Sequence, residues 1–194
     1  MKTYVLGSDE VGLGPLAGPL VACAVLFPVN YTVEGLRDSK TLSKKKIAEL
    51  AHKLPALCVE YALAQVEAEE LDRIGLFEGL SQVHTTAIRA VLKKTSVRFE
   101  QIHIVVDGNV EHCPDIPGVE YRVKADSSEP AVMAGAVLAK FARDNIMKAY
   151  HRSYPEFGFY QNAGYGTALH MDALKRFGAS PIHRRLCEPV RRYE

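Results

Sequence analysis

Residues 7–19 read Gly7-Ser8-Asp9-Glu10-Val11-Gly12-Leu13-Gly14-Pro15-Leu16-Ala17-Gly18-Pro19, and the rest of the chain is organised around this turn. The segment from Lys2 to Leu6 has the pattern of a short β-strand, and the apolar run from Leu20 to Phe27 is long enough for a buried strand. Two adjacent carboxylates therefore lie where the first strand is predicted to stop. Because neighbouring acids repel each other, they favour a bound cation, although the same residues also fit an ordinary hairpin.

The composition is that of an ordinary globular protein. The chain has 194 residues, 47% of them hydrophobic and 24% charged, with a formal net charge of +1. This length fits one domain, and the charge creates no overall field that would demand a nucleic acid or a membrane. The four cysteines form no Cys-x-x-Cys pair, so neither a zinc ribbon nor a redox motif is supported. With no signal segment and no apolar run near the ~20 residues of a membrane span, we expect a cytoplasmic protein.

The order of predicted elements indicates a mixed α/β fold. The opening hairpin is followed by a helix over Lys44 to Leu54, capped by Ser43 and ended by Pro55. The remaining predicted elements are a strand over Leu57 to Val66, a helix over Leu76 to Lys94, strands over Gln101 to Val106 and Val119 to Val123, a long helix from Ser127 to about Tyr150 and a last helix from Thr167 to Phe177. The long helix is rich in small residues, which allows it to lie close against a sheet.

Acidic side chains end three of the predicted strands: Asp9 with Glu10, Asp107, and Asp126. In open α/β sheets, functional sites gather at the C-terminal ends of the strands. If these strands are neighbours, four carboxylates converge on a volume that only hard cations such as Mg²⁺ can neutralise. Two such ions about 3.5–4 Å apart can hold the attacking water and the leaving oxygen of a phosphoryl displacement. The pattern therefore predicts hydrolysis of a phosphodiester.

Each acid also has a purely structural interpretation. Asp107-Gly108 is a common turn signal, and Asp126 opens a segment similar to a capping box, in which it would only bind amides at a helix start. Asp144 lies inside the predicted long helix beside Arg143, where an ion pair is the expected role. The cluster interpretation depends on the shared position at strand ends and not on any single acid.

Five blocks of the sequence resemble the type 2 ribonuclease H (ribonuclease HII) family. They are residues 9–19, Asp38-Ser39-Lys40 with Leu42-Ser43, Val106-Asp107-Gly108, Lys124-Ala125-Asp126 leading to Ala139-Lys140 and Arg143-Asp144, and Gly164-Tyr165-Gly166-Thr167 with His170. The blocks occur in order and cover essentially the whole chain. The resemblance implies a ribonuclease H-like fold, with a mixed central sheet flanked by helices. It also implies a single catalytic domain over 1–194, with a small helical extension over about 167–194 that contacts nucleic acid.

The same resemblance implies a divalent-metal endonuclease. It would cut the RNA strand of RNA–DNA hybrids and single ribonucleotides embedded in duplex DNA, with water as nucleophile, leaving a 3′-hydroxyl and a 5′-phosphate. The catalytic metal ligands would be Asp9, Glu10, Asp107 and Asp126, which would hold two Mg²⁺ or Mn²⁺ ions, with Asp9 shared between them. Two alternatives stay open at this point, another nuclease or transferase of the same fold and a non-hydrolysing hybrid-binding protein.

Substrate contacts also follow from the resemblance. A Gly-Arg-Gly or Gly-Lys-Gly turn reads the ribose 2′-hydroxyl in the family, and here the turn is Gly12-Leu13-Gly14, with Tyr165 matching the tyrosine that packs on the sugar. Because backbone groups make the hydroxyl contacts, we expect Leu13 to cost only a cationic phosphate contact. Ser39 and Lys40 are expected to contact phosphates. We expect a monomer that binds nucleic acid and no membrane. The end of the chain is basic (His183, Arg184, Arg185, Arg191 and Arg192), which fits either a phosphate-binding patch or a solvated terminus. With a nucleic acid as substrate, the tail arginines are expected to contact the duplex backbone.

Overall fold

A five-stranded mixed sheet forms the centre of the computed structural model, which describes residues 2–193. The strands are β1 (Tyr4–Val11), β2 (Leu20–Pro28), β3 (Glu60–Val66), β4 (Ile102–Asp107) and β5 (Val119–Arg122). Their order across the sheet is β3-β2-β1-β4-β5. The β1–β2 and β2–β3 pairs are antiparallel, whereas β1–β4 and β4–β5 are parallel. The predicted fold class is confirmed.

The α-helices cover the sheet and the end of the chain. They are α1 (Lys44–Leu57), α2 (Ala68–Ile74), α3 (Leu76–Lys94), α4 (Pro130–Ser153), α5 (Phe159–Asn162), α6 (Ala168–Phe177) and α7 (Glu188–Arg191). The start of α1 follows the expected capping, since the Ser43 side chain accepts a hydrogen bond from the Lys46 amide. None of the helices among residues 2–193 is long and apolar enough to cross a membrane.

Several element boundaries differ from the predictions. Pro55 lies inside α1 and does not end it, because a proline in the last turn costs only one backbone hydrogen bond. The predicted second half of the hairpin is right, but β1 continues through Val11, so the two adjacent acids lie within the strand and not after it. The long helix begins at Pro130, and a separate 3₁₀ turn over Ala125–Ser127 precedes it.

The two faces of the sheet are covered by different helices. One face packs against α1 and α4, and the other packs against α3. Bare glycine backbone lets α4 approach β1: a Cβ on Gly7 would lie 2.3 Å from the Val132 nitrogen, and one on Gly135 would lie 2.7 Å from the Cys23 oxygen. The expected close packing of a small-residue helix is therefore present, and it places α4 directly beside Asp9, whose nitrogen is 3.3 Å from that second Cβ position.

The C-terminal segment packs back onto the turn that follows β1. A separate apolar cluster joins Leu16 and Ala17 of that turn to Phe157, Phe159 and residues of α6 and α7. Backbone hydrogen bonds run from the Leu16 amide to the Gly164 carbonyl (2.8 Å) and from the Arg184 amide to the Leu16 carbonyl (2.8 Å). The turn is therefore held from both the sheet side and the C-terminal side.

Candidate active site

Asp9 and Glu10 lie on opposite faces of β1, because side chains alternate along a strand. Asp9 is on the α4 face and is buried, and its Oδ1 accepts a hydrogen bond from the Glu10 amide at 2.8 Å. Glu10 is on the α3 face, where its Oε2 lies 3.0 Å from Nε2 of His84. The two neighbouring acids therefore reach the same edge of the sheet from its two sides.

Asp107 and Asp126 meet at the same edge. Asp107 is the last residue of β4, and its Oδ1 accepts a hydrogen bond from the Ala125 amide at 2.7 Å. Asp126 is buried in the 3₁₀ turn that this amide begins. It does not cap α4, whose N-cap is Glu129 without a side-chain hydrogen bond, so the capping-box interpretation is wrong. Asp9, Glu10, Asp107 and Asp126 are called the carboxylate cluster below.

The electrostatics show that these acids share one field. Burial raises the pKa of Asp9 well above its usual value, and the charges of Glu10, Asp107 and Asp126 raise it further against a hydrogen bond from the Glu10 amide. Burial also raises the pKa of Asp107, followed by the charge of Asp126, although amides of Ala125 and Asp126 act in the opposite direction. The cluster therefore holds more negative charge than its surroundings neutralise.

Lys40 supplies positive charge to this cluster. Its Nζ donates a hydrogen bond to Oδ2 of Asp126 at 2.7 Å, although most of the lysine side chain is exposed. That hydrogen bond is the main cause of the raised pKa of Lys40, with further contributions from the charges of Asp126, Asp38 and Asp9. Lys40 therefore stays charged at neutral pH and faces the acids directly.

The donor chemistry of the cluster fits a hard divalent cation. Carboxylate oxygens are the ligands that Mg²⁺ prefers, and Mg²⁺ keeps several waters, so it does not require a complete cage of side chains. Within residues 2–193, no three His, Cys, Asp or Glu side chains are grouped closely enough to form such a cage.

A cleft of about 420 Å³ joins the cluster to the predicted substrate residues. Its walls include Asp9, Glu10, Gly12, Leu13, Gly14, Ser39, Lys40, Asp107, Lys140 and Tyr165. The structure thus brings every predicted substrate residue to one concave surface with three of the four acids, and the fourth, Asp126, reaches it through Lys40. Lys140 was not predicted as a site residue.

The two glycines of the turn tolerate a side chain differently. Gly12 has a φ of +104°, and a Cβ there would lie 2.6 Å from Nε of Arg143 and 2.7 Å from the Pro19 oxygen. A Cβ on Gly14 would meet only Cε1 of Tyr165, at an ordinary contact distance of 3.8 Å, so a small side chain would fit there beside the tyrosine ring. Side chains other than hydrogen are therefore excluded at Gly12 by the backbone and by its neighbours.

Arg143 is buried beneath this turn and binds backbone oxygens. It donates hydrogen bonds to the carbonyls of Pro19 (2.9 Å), Ala163 (2.9 Å) and Ala17 (3.1 Å). Asp144 forms an ion pair, as expected, but its partner is Lys140 at 3.8 Å, one helical turn away, and not the neighbouring Arg143.

Part of the basic tail has a structural role as well. Arg184 is buried and donates hydrogen bonds to the carbonyls of Gly18 and Leu13, while burial lowers its pKa to about 10. His183 is buried against His170, with 2.8 Å between their Nε2 atoms. The expected duplex contact of Arg184 is therefore wrong, whereas Arg185, Arg191 and Arg192 are exposed. Arg143 and Arg184 are called the arginine pair below.

Ser8 and His84 adjoin the cluster but were not predicted. His84 is fully buried on α3, and its Nδ1 lies 2.8 Å from the Ser8 hydroxyl. A signal was present in the sequence, since a histidine occupies the apolar stripe of this helix between Val83 and Ala87. Its partner could not be found in the same way, because Ser8 is 76 residues away.

Comparisons with known proteins agree with this geometry. The model of the family "Ribonuclease HII" matches residues 6–190. The chain is 39% identical over 188 residues to the ribonuclease HII of Coxiella burnetii (strain Dugway 5J108-111), covering 96% of this chain and 89% of that protein. The ribonuclease H2 of Pyrococcus horikoshii OT3 is similar with a TM-score of 0.80 at 25% identity, covering 98% and 97% of the two chains. Bst-RNase HIII in complex with Mn²⁺ shares the fold, with a TM-score of 0.76 at 18% identity over 98% of this chain and 64% of that one.

Proposed function

Because this chain belongs to the ribonuclease HII family of endonucleases, we propose that it hydrolyses the RNA strand of RNA–DNA hybrids and cuts on the 5′ side of single ribonucleotides in duplex DNA. The products would carry a 3′-hydroxyl and a 5′-phosphate. The observation that supports this best is that three acids of the carboxylate cluster, Asp9, Glu10 and Asp107, line one cleft together with the glycine turn and Tyr165.

The carboxylate cluster would hold two divalent ions, Mg²⁺ or Mn²⁺. Bound there, such ions supply neutralising charge for the attacking and leaving oxygens of an in-line displacement. Asp9 is proposed as the ligand shared between them. It is the more buried of the two acids on β1, and the charges of Glu10, Asp107 and Asp126 all raise its pKa. The raised pKa of Asp9 indicates that the carboxylate is under-neutralised and has capacity for a cation.

The neighbouring residues would bind and orient the nucleic acid. The exposed backbone at Gly14 lies beside the exposed ring of Tyr165, since a Cβ on Gly14 would be 3.8 Å from Cε1 of the ring. The two residues would therefore form one continuous surface of the cleft, on which a ribose could pack. Ser39 and Lys40 line the same cleft, and Lys40, which also contacts Asp126, would be close enough to the acids to bind a phosphate beside them. Exposed Arg185, Arg191 and Arg192 of the segment over about 167–194 are proposed as contacts to the duplex backbone.

We also propose a single catalytic domain that works as a cytoplasmic monomer. The packing of the C-terminal segment onto Leu16 and Ala17 supports one domain. All four cysteines are free in the described part of the chain, as a reducing compartment requires. Light scattering on the purified protein tests the monomer, and a mass near 21.4 kDa is the expected result.

The activity is tested with three duplexes of the same sequence: a DNA duplex with one ribonucleotide, an RNA–DNA hybrid and an all-DNA duplex. With Mg²⁺ or Mn²⁺ we expect cuts in the first two only, and extension by a DNA polymerase will report the 3′-hydroxyl. Asp107→Asn, which keeps the oxygen that accepts from the Ala125 amide, is expected to be inactive. Cleavage of the all-DNA duplex, or equal cleavage in EDTA, contradicts the proposal.

A further inference from the structure

Ser8, His84 and Glu10 form a hydrogen-bonded chain behind the carboxylate cluster. Nδ1 of His84 lies 2.8 Å from Oγ of Ser8, and Nε2 lies 3.0 Å from Oε2 of Glu10. Ser8 and His84 are both fully buried, whereas the Glu10 side chain is 14% exposed. The chain thus runs from the interior of the sheet to the one member that faces the cleft.

The chemistry of the three groups gives each contact a direction. An ionised carboxylate only accepts hydrogen bonds, so Nε2 of His84 carries the proton and donates to Glu10. Nδ1 of the neutral ring is then an acceptor, and the Ser8 hydroxyl donates to it. The carboxylate therefore sets the tautomer, and the serine hydroxyl, which can donate or accept, satisfies the other ring nitrogen and fixes the orientation of the ring, as partners of histidines near metal sites do.

Packing holds the imidazole ring in place. Val83 and Ala87 flank it on α3 in fully buried positions. On another side the His112 ring lies 4.9 Å away between centroids, at an interplanar angle of 44°. Burying a serine and a histidine side chain costs folding free energy unless both are hydrogen-bonded. Apolar side chains at these two positions would stabilise the fold without that requirement. The arrangement needs a reason beyond stability.

We propose that Ser8 and His84 are positioning residues that fix the Glu10 carboxylate for metal binding. This inference rests on the proposed function, in which Glu10 is a metal ligand. A glutamate side chain has three rotatable bonds, and the hydrogen bond from His84 to Oε2 restricts them before a cation binds, which lowers the entropy cost of ordering Glu10 on binding. Partners of this kind are commonly worth about 10–100-fold in metal affinity.

The test is to titrate the full chain with Mn²⁺ alone and to measure the binding affinity by isothermal titration calorimetry. His84→Leu removes the donor, and we expect Mn²⁺ affinity to fall about 10–100-fold. His84→Gln keeps an N–H near the Nε2 position and is expected to restore most of the affinity. Ser8→Ala should weaken binding less than His84→Leu does, and adding it to His84→Leu should change nothing more, because both act through one chain of hydrogen bonds.

The matched control is His103→Leu. His103 also pairs with a glutamate, Glu120, at 2.8 Å, but it lies on β4 near the opposite end from Asp107. Its loss should leave Mn²⁺ affinity unchanged. Wild-type affinity in folded His84→Leu, or an equal loss in His103→Leu, overturns the proposal. If His84→Leu fails to fold, Ser8→Ala is the deciding variant, because it deletes only one hydroxyl group. An unchanged Mn²⁺ affinity in Ser8→Ala then overturns the proposal.

Mn²⁺ binding also separates this inference from the proposed function. A wild-type protein that binds Mn²⁺ but cuts no ribonucleotide-containing duplex contradicts the proposed activity, while the variants still test the positioning of Glu10. A wild-type protein that binds no Mn²⁺ overturns both.

Discussion

The carboxylate cluster and the arginine pair are two groups of like charges on either side of the same glycine turn. The arginine pair is satisfied: Arg143 and Arg184 direct their hydrogen bonds to backbone carbonyls of residues 13–19 and of Ala163. The carboxylate cluster is not, since its members raise the pKa of Asp9 and only Lys40 offers it an ammonium group among the contacts described. Burial of charge alone therefore does not mark a functional site.

The difference shows what each group does for the protein. Fixed carbonyl dipoles compensate the arginines, so the pair stabilises the turn that borders the cleft. Uncompensated acids destabilise the folded protein in the absence of a cation, and a bound cation relieves this repulsion. Such a loss of stability is expected of residues that are kept for function. Substitutions in the two groups should therefore have opposite consequences for stability and activity.

The largest expected effect is loss of cleavage in Asp9→Asn. In the wild type the Glu10 amide donates to Oδ1 of Asp9 at 2.8 Å, and the asparagine keeps an oxygen for that hydrogen bond. The substitution removes the negative charge that would bind the cations. We expect the cutting rate to fall about a thousandfold or more, as for other members of a catalytic unit. Single-turnover cleavage of a ribonucleotide-containing duplex measures it. Asp115→Asn, at an exposed acid that pairs with Arg89, is the control with unchanged rate.

The next effect is on stability and belongs to the arginine pair. Arg143→Met removes the donors of the carbonyls of Pro19, Ala163 and Ala17, and unsatisfied buried groups cost about 1–3 kcal/mol each. We expect the free energy of unfolding to fall by about 3 kcal/mol, which corresponds to roughly 6–12 °C in the melting temperature.

Urea and thermal unfolding measure this loss. The control is Arg89→Met, because Arg89 forms an exposed pair with Asp115 at 3.6 Å and should change stability by less than about 0.5 kcal/mol. If Arg143→Met unfolds like the wild type, the carbonyl contacts are not stabilising and the contrast between the two groups is lost.

Much of the fold could be predicted because its signals are local. The helix over Leu76–Lys94 follows from apolar residues at helical spacing, and its bounds agree with α3. By contrast, α2 (Ala68–Ile74) was missed, since its acidic residues resemble a solvated loop and its burial depends on Leu71 meeting the sheet side. Pro55 was misjudged because the position of a proline within the last turn decides its cost.

The site could be predicted only where residues share a pattern along the chain. The acids lie near the C-terminal ends of β1 and β4 or in the turn after β5, so their convergence follows from strand order once these strands are neighbours. Pairings over long separations carry no such signal: Lys40 meets Asp126 across 86 residues, and Arg184 meets Gly18 across 166. Those contacts depend on the tertiary packing. The sequence therefore predicts a duplex contact for Arg184, whereas the structure buries this side chain on backbone carbonyls of Leu13 and Gly18.

A smaller effect concerns the pH dependence of stability in the metal-free protein. Because the pKa values of Asp9 and Asp107 are raised, the folded state keeps protons that the unfolded chain has already released. The stabilisation of the folded state by the extra bound protons is therefore fully present below the ordinary aspartate pKa, and it is lost as the pH rises through the raised pKa values. We expect Asp9→Asn to be more stable than the wild type at neutral pH by about 1–2 kcal/mol, but not at low pH.

Thermal unfolding of both proteins in EDTA across the acidic and neutral range checks this sign. Added Mn²⁺ should stabilise the wild type at neutral pH and leave Asp9→Asn nearly unchanged, since ligand binding to the folded state adds stability. A variant that is less stable than the wild type at neutral pH would show that the acids are satisfied like the arginines.

The smallest effect is expected at Leu13, where the two regions meet. Its carbonyl accepts a hydrogen bond from Nη1 of Arg184 at 3.1 Å, while its side chain is 39% exposed and lines the cleft. Leu13→Arg therefore changes what projects into the cleft without altering the backbone, which Gly12 and the arginine pair hold in place. If backbone groups of the turn read the 2′-hydroxyl, the new cation adds only a phosphate contact.

We accordingly expect Leu13→Arg to change the rate at a single embedded ribonucleotide by less than about tenfold, while the salt dependence of binding steepens by about one phosphate contact. Leu13→Gln, of similar length but uncharged, is the control and should leave the salt dependence as it is. A gain of several orders of magnitude in Leu13→Arg contradicts backbone reading, because a side-chain cation would then contribute more to recognition than the turn that the arginine pair supports.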